Sequence, residues 1–170
     1  PEATAEAIDS DGWFHTGDIG EIDLDGFLRI TDRMKNIIVT SGGKNIAPAP
    51  LENQFIQSPL IEQIVIIGDR RNYLTALIVP TFEKLEQIAE GKGIQWKDRR
   101  ELVSHSEINK EIDLEIKRIQ VSFARYEQIK KFTLLPEIFS IENGELTPSL
   151  KIKRKAVEKK LADLIDQMYR

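Results

Sequence analysis

The sequence predicts an α+β fold, in which a small β-hairpin precedes a compact domain with a small, mainly three-stranded sheet flanked by helices. Apolar and polar residues alternate on both sides of Asp25-Gly26, and two β-branched runs occupy residues 62–67 and 73–79. Amphipathic helical patterns follow in the second half. These strands and helices interleave without a strict βαβ rhythm, which favours the α+β class.

The first half of the chain carries the strand signals. Asp25-Gly26 suits the positive φ angles of a type I′ turn, and the two β-branched runs are joined by a turn at Gly68-Asp69. Continuous apolar runs of this kind suit strands that are covered on both faces. The predicted elements are a hairpin at 21–30, a strand at 37–39, a loop at 40–44, a helix at 48–57 and strands at 62–67 and 73–79.

The second half is mainly helical. Ser104-His105-Ser106-Glu107 has the pattern of a capping box and predicts the start of a long helix. The remaining predictions are a helix at 81–89 ended by Gly91 and Gly93, an extended segment at 132–141 broken by Pro136, and a last amphipathic helix at 155–168. The apolar face of the long helix is predicted at Ile108, Ile112, Ile116, Ile119 and Phe123.

Composition excludes several kinds of site. The 170 residues are 41% hydrophobic and 31% charged, which is typical of a globular protein, and they include no cysteine and two histidines. Disulfides, thiolate zinc sites and cysteine nucleophiles are therefore excluded, and we predict no metal ligands in this chain. No apolar run approaches 18 residues and no signal peptide is recognised, so we expect a cytoplasmic protein.

Charge is distributed unevenly along the chain, whose net charge is −4. Residues 1–32 form an acidic first segment, and residues 151–170 form a basic last segment. A basic tail can bind nucleic acid, but this one lacks interleaved aromatic residues and belongs to an acidic chain. We interpret it as the solvated face of a helix and expect no nucleic-acid partner. The chain starts at Pro1 without an initiator methionine, and we expect it to be a fragment of a longer protein.

Three segments carry a family resemblance. They are DGWFHTGD at residues 11–18, DRMKN at 32–36 followed by SGGK at 41–44 and APAPLE at 47–52, and GELTPSLKIKR at 144–154. In this order and spacing they resemble the last three conserved motifs of the adenylate-forming superfamily, which includes acyl-CoA synthetases, firefly luciferase and peptide-synthetase adenylation domains. Two features look like those of long-chain fatty acyl-CoA synthetases. Leu150 stands where compact members usually have glycine, and the helical stretch between residues 79 and 123 is long.

The resemblance implies a two-step ligase reaction. A fatty acid carboxylate attacks the α-phosphate of ATP, and the thiol of CoA then displaces AMP from the acyl-adenylate. Residues 1–34 would be the last stretch of a large N-terminal adenylation domain, and residues 35–170 a mobile C-terminal domain. The N-terminal domain of the same enzyme would contact this chain and would supply the Mg²⁺ site. The resemblance is also compatible with peripheral contact between the full-length enzyme and a membrane. The fragment alone is expected to be inactive.

The resemblance also assigns roles at the nucleotide. Asp18 matches the carboxylate that accepts hydrogen bonds from the ribose hydroxyls, and Arg33 matches an arginine that reaches the same ribose. Lys151 matches the catalytic lysine that bridges the carboxylate and the α-phosphate. The alternatives are an ordinary loop aspartate, an ion pair of Arg33 with Asp32 or the acidic segment, and a surface lysine.

A second group of positions concerns the domain rotation and CoA. Lys35 falls on the hinge, where its role would be a change in backbone torsions. Gly42 and Gly43 match the loop that lines the pantetheine passage, although the sequence alone favours a plain turn after a strand. Lys44 aligns with a basic position that meets a phosphate of ATP or CoA. His15 is as well explained by a structural role, and Glu52 is left without one.

Two other functions share these motifs. An adenylating enzyme could transfer its acyl group to a carrier protein instead of CoA, and a non-catalytic binding module could reuse the fold. Retention of Asp18, Arg33 and Lys151 argues against the second, because a degenerate copy would be free to lose them. The acceptor thiol is decided by residues outside these 170.

Overall fold

A computed structural model describes Thr4 and residues 7–170, so Glu2 and Glu6 of the acidic segment lie outside the described residues. Two antiparallel strands, β1 (Asp18–Ile22) and β2 (Leu28–Arg33), form the predicted hairpin. Its connection is longer than the expected two-residue type I′ turn. The Asp23 amide donates to the Phe27 carbonyl at 3.0 Å, and only Gly26 within the loop has a positive φ, of 86°. The sequence interpretation missed that the Asp23 carboxylate accepts from the Asp25 and Phe27 amides.

A second, two-stranded sheet follows at the end of the hairpin. A 3₁₀ turn, Met34–Asn36, leads into β3 (Ile38–Val39), which pairs antiparallel with β4 (Asn45–Ile46). Residues 40–44 form the loop between them, as predicted. Ile38 and Ile46 face each other and are almost fully buried, so this small sheet packs into the main core.

The central sheet has three strands in the order β5–β6–β7. Strands β5 (Ile61–Ile67) and β6 (Leu74–Pro80) are antiparallel, and β7 (Ile129–Leu134) runs parallel to β6. Every residue of β6 is buried, which agrees with its continuous apolar sequence. The predicted extended segment at 132–141 begins three residues after the start of β7 and continues past its end. The bounds of β7 depend on its pairing with β6, which is not a local property of the sequence.

Helices cover this sheet and confirm the α+β class. The amphipathic helices bury Leu51, Phe55, Leu85, Ile112 and Ile165 against the strands. Of the described helices, none has the length and apolar character needed to cross a membrane. The helices are α1 (Pro48–Phe55), α2 (Phe82–Gly91), α3 (Arg99–Ser104), α4 (Ser106–Ile119), α5 (Arg154–Lys160) and α6 (Ala162–Met168).

Two helix boundaries differ from the prediction. Helix α4 begins after His105, whose Nδ1 accepts from the Glu107 amide at 3.2 Å, whereas Ser104 ends α3 and its hydroxyl donates to the Glu101 carbonyl. The predicted capping box is therefore wrong, because α3 already uses Ser104. The predicted last helix at 155–168 is divided into α5 and α6 at Leu161.

Candidate functional site

One open cavity brings together three of the residues singled out from the sequence. Asp18, Arg33 and Lys151 lie on its walls, although they come from the hairpin and from a loop more than a hundred residues later. The cavity has a volume of about 770 Å³. Its other lining residues include Asp32, Asn36, Ala49, Glu52, Asn53, Leu150, Ile152 and Arg154.

Asp18 and Arg33 form an ion pair across the hairpin. They face each other in the β1–β2 register, and Arg33 Nε lies 2.8 Å from Asp18 Oδ1. The Asp18 side chain is 27% exposed, so its carboxylate remains open to the cavity. Asp18 belongs to the acidic first segment, so the alternative ion pair of Arg33 with that segment is formed, whereas the one with Asp32 is not. The buried Asp32 accepts instead from the backbone amides of Arg33 and Ala49, at 2.7 and 3.2 Å.

Lys151 is presented by a tight loop between Leu146 and Ile152, which pair as an isolated antiparallel bridge. The Thr147 amide donates to the Lys151 carbonyl at 2.8 Å, and the Lys151 amide donates to Thr147 Oγ1 at 3.0 Å. Leu150 has a φ of 60°, in the left-handed region that costs a side-chain-bearing residue about 1–2 kcal/mol. The loop thus fixes the backbone of Lys151 and leaves its side chain exposed at the cavity.

Lys35 lies at the domain boundary that the sequence predicts between residues 1–34 and 35–170. It is the middle residue of the 3₁₀ turn Met34–Asn36, which joins β2 to β3, and it is exposed. It does not line the cavity. The side chain of Asn36, next to it, donates to Asp32 Oδ1 at 3.2 Å.

Gly42, Gly43 and Lys44 lie on the β3–β4 loop and do not line the cavity. Gly43 has a φ of 73°, and its amide donates to the Thr40 carbonyl at 2.9 Å, so this position requires glycine. Gly42 has no such requirement from φ. Lys44 Nζ lies 5.4 Å from the centroid of the Tyr126 ring, within the range of a cation–π contact. The structure thus separates these positions from Asp18, Arg33 and Lys151.

His15 contributes to a local turn and does not line the cavity. Its Nε2 lies 3.0 Å from Asp9 Oδ2. The Trp13 amide, which donates to Asp9 Oδ1, holds the pKa of that carboxyl below its usual value, with a further contribution from His15. These contacts favour the structural interpretation of His15.

Two cavity residues were not recognised from the sequence as a functional pair. Arg154 Nη2 contacts both carboxylate oxygens of Glu52, at 2.8 and 2.9 Å. Glu158, one turn further along α5, is half-buried, and burial raises the pKa of its carboxyl although Arg154 opposes the shift. Spacing gave no signal for the Glu52–Arg154 contact, because its partners are 102 residues apart.

Among the described residues, no group of three or more histidine, cysteine, aspartate or glutamate side chains is arranged to hold an ion.

Comparison with proteins of known sequence identifies relatives along the whole chain. A long-chain-fatty-acid–CoA ligase of Mycobacterium tuberculosis, FadD15, is 43% identical over 99% of this chain, and the cattle long-chain-fatty-acid–CoA ligase ACSBG1 is 37% identical over the same share. The chain spans 28% and 26% of the length of these two relatives, respectively.

Solved structures of adenylation domains have a similar fold. The adenylation domain of a carboxylate reductase from Mycobacterium chelonae superposes with a TM-score of 0.84, at 28% identity over 99% of this chain and 25% of that one. The corresponding domain from Segniliparus rugosus, solved with AMP and a carboxylic acid, gives a TM-score of 0.83 at the same identity and the same shares. The family model described as the AMP-binding enzyme C-terminal domain matches residues 35–170, and this chain therefore belongs to that family.

Proposed function

We propose that this chain is the C-terminal part of an ATP-dependent fatty acid–CoA ligase. The observation that carries the proposal is the single cavity on which Asp18, Arg33 and Lys151 meet. A carboxylate, a guanidinium and an ammonium in one cleft suit a nucleotide, whose ribose needs acceptors and whose phosphates need donors. The relatives named long-chain-fatty-acid–CoA ligases support the choice of a fatty acid and CoA as substrates.

In the first step, the residues of this cavity would bind ATP and promote adenylation. Asp18 accepts hydrogen bonds from the ribose hydroxyls, and Arg33 donates to the ribose from the same side. A fatty acid carboxylate oxygen attacks the α-phosphorus, and the bond to pyrophosphate breaks, so that acyl-adenylate and pyrophosphate form. Lys151 donates to the attacking carboxylate and to an α-phosphate oxygen, and so stabilises negative charge that increases in the transition state.

In the second step, the loop that carries Gly42 and Gly43 would replace Lys151 at the reacting centre. The thiol of CoA attacks the acyl carbon and AMP leaves, after residues 35–170 have rotated about Lys35. The 3₁₀ turn that contains Lys35 supports this hinge, because a short turn between two small sheets can absorb a change in φ and ψ. The separation of Gly42, Gly43 and Lys44 from the cavity is what alternating use of two faces requires.

The boundary between domains is proposed at residue 35, where the family match also begins. The segment before it exposes large apolar side chains, including Trp13 at 73%, Ile22 at 73% and Phe27 at 71%. Exposed apolar surface of this extent is typical of an interface. It supports the assignment of residues 1–34 to a larger N-terminal domain that covers them.

A second candidate is an adenylation domain that loads a carrier protein. It is favoured by a solved relative from Segniliparus rugosus, in which an adenylation domain and a PCP form one didomain, with a TM-score of 0.76 at 30% identity. The first step is the same in both candidates, and only the acceptor thiol differs.

Three further features of the whole enzyme stay predictions. Mg²⁺ would accompany ATP through the N-terminal domain, the enzyme would be cytoplasmic, and contact with a membrane would be peripheral.

The test uses the full-length protein and the 170-residue chain in parallel. Fatty acid-dependent exchange between ATP and pyrophosphate is expected from the full-length protein and not from the chain alone, because the transition state needs all its binding groups in one geometry. CoA and a phosphopantetheinylated carrier protein are then supplied separately as acceptors. Thioester on CoA supports the ligase, and thioester on the carrier alone supports the second candidate. Nucleotide binding without exchange would favour a non-catalytic module.

A further inference from the structure

Glu52 and Arg154 form a partly buried, multiply bonded pair beside the candidate site. Each side chain is 16% exposed, and Arg154 Nη2 contacts both Glu52 oxygens. The peptide groups of β5 complete the arrangement: the Ile66 amide donates to Glu52 Oε1 at 2.7 Å, and Arg154 Nη1 donates to the Ile66 carbonyl. Glu52, Arg154 and Ile66 therefore form a closed ring of hydrogen bonds, which is much more constrained than an exposed ion pair.

This ring is the polar anchor of the loop that carries Lys151. The bonds of residues 147–151 are internal, and the Lys153 amide donates to the Glu145 carbonyl within the same segment. Arg154 connects this segment to the rest of the fold. Among the described residues, it is the only member of 141–154 that forms hydrogen bonds with residues outside 140–160. Internal bonds fix the shape of the loop, whereas Arg154, together with the buried Leu146, holds the loop on the rest of the fold.

The same anchor connects Lys151 to the nucleotide side of the cavity. Glu52 belongs to α1, and the first turn of α1 is held at the Ala49 amide by Asp32. Asp32 directly precedes Arg33, which pairs with Asp18. Helix α1 therefore joins the loop of Lys151, through Glu52, to the Asp18–Arg33 pair, through Ala49 in its first turn.

We propose that Glu52 and Arg154 are positioning residues for adenylation, which set the place of Lys151 relative to the Asp18–Arg33 pair. The proposal rests on the proposed function and assigns to Glu52 a role that its sequence motif does not reveal. Neither side chain would touch the substrate. Their effect is exerted through Lys151, because displacement of a catalytic group by about 1 Å can lower a rate on the order of 100-fold.

The principal variant is Arg154→Lys in the full-length protein. It keeps the positive charge but cannot hold Glu52 and the Ile66 carbonyl together as the planar guanidinium does. We expect a roughly 10- to 100-fold lower kcat for adenylation, with little change in KM for ATP and fatty acid. Thioester formation from supplied acyl-adenylate should stay within about twofold of the unmodified enzyme, because Lys151 acts in the first step only.

A matched control is Arg118→Lys. Arg118 also makes a two-point contact with a partly buried carboxylate, that of Glu115, at 2.7 and 2.8 Å, but this pair is on α4 and does not line the cavity. The same chemical change there should leave adenylation unaltered. If Arg154→Lys does not yield folded protein, Glu52→Gln provides the test, since its amide oxygen can still accept from Ile66.

The decisive measurement combines Arg154→Lys with Lys151→Ala. If Arg154 acts through Lys151, the double variant adenylates no more slowly than Lys151→Ala alone. Multiplicative losses, equal losses in both half-reactions, or normal adenylation by a folded Arg154→Lys protein would overturn the proposal. Absence of adenylation by the unmodified full-length enzyme would instead refute the proposed function, so the two failures are distinguishable.

Discussion

Lys151→Ala is the substitution that most directly tests the proposed chemistry. Removing one preorganised donor from a transition state typically costs about 10²–10³ in rate, or roughly 2.7–4 kcal/mol. The loop should survive the change, since its bonds use the Lys151 backbone and Thr147 Oγ1 and not the lysine side chain. An exposed side chain of this kind contributes little to folding, so we expect the free energy of unfolding to change by no more than about 0.5 kcal/mol.

Two assays on the full-length variant separate the steps. Exchange between ATP and pyrophosphate in the presence of fatty acid reports adenylation, and CoA thioester formation from synthetic acyl-adenylate reports the second step. The first should fall by the full factor and the second should be almost unchanged. Lys153→Ala is the control, because Lys153 is an exposed lysine two residues away that does not line the cavity. Near-normal adenylation by Lys151→Ala would make Lys151 a surface lysine and refute the assignment.

Three further predictions concern the hinge, the packing at a glycine and a half-buried carboxyl group. Lys35→Pro should fix φ within the 3₁₀ turn and abolish one half-reaction while the other is retained, whereas Lys35→Ala should be mild; equal loss of both would argue against a hinge. Gly68→Ala would drive a methyl group into the fully buried Leu74 and should cost roughly 1–3 kcal/mol in urea unfolding, while Gly91→Ala, with open space around it, should not destabilise. Burial raises the pKa of Glu158 above its ordinary 4.5, so ionisation opposes folding: Glu158→Gln should raise Tm at pH 7, and the gain should vanish as the pH falls below 4.5.

Local patterns were sufficient for much of the fold. The runs at 62–67 and 73–79 predict β5 and β6 within one residue, because continuous β-branched sequence has few alternatives to a covered strand. The start of β7 was not predictable in this way. Its parallel partner is more than fifty residues earlier, and such a pairing leaves no mark in the local sequence. Ser104 shows a related limit, since a capping pattern cannot reveal that the preceding helix already uses the residue.

For the site as well, the sequence predicts the residues that lie in local motifs but not the contacts between distant residues. Each motif identifies a residue type with a chemical role, and the fold gathers Asp18, Arg33 and Lys151 around one cavity. What the motifs omit is the support between them. Glu52 and Arg154 each look like an ordinary surface charge in sequence, and their contact depends on how α1 and α5 pack against β5. The two partners are 102 residues apart, so their contact can be recognised only from the tertiary structure.

The Asp18–Arg33 ion pair is compatible with the proposed nucleotide binding and would prepare the site for it. A carboxylate offers about four lone-pair positions, and Arg33 Nε uses one of them, on Oδ1. In the proposed complex, Asp18 Oδ2 would be open to a ribose hydroxyl, and the partial exposure of the side chain gives access from the cavity. Because Arg33 already orients the carboxylate, binding does not have to restrict that rotamer again, which reduces the entropic cost. In the proposed reaction, the hairpin thus supplies a preorganised ribose site, and Lys151 approaches the phosphate from the loop that Arg154 holds.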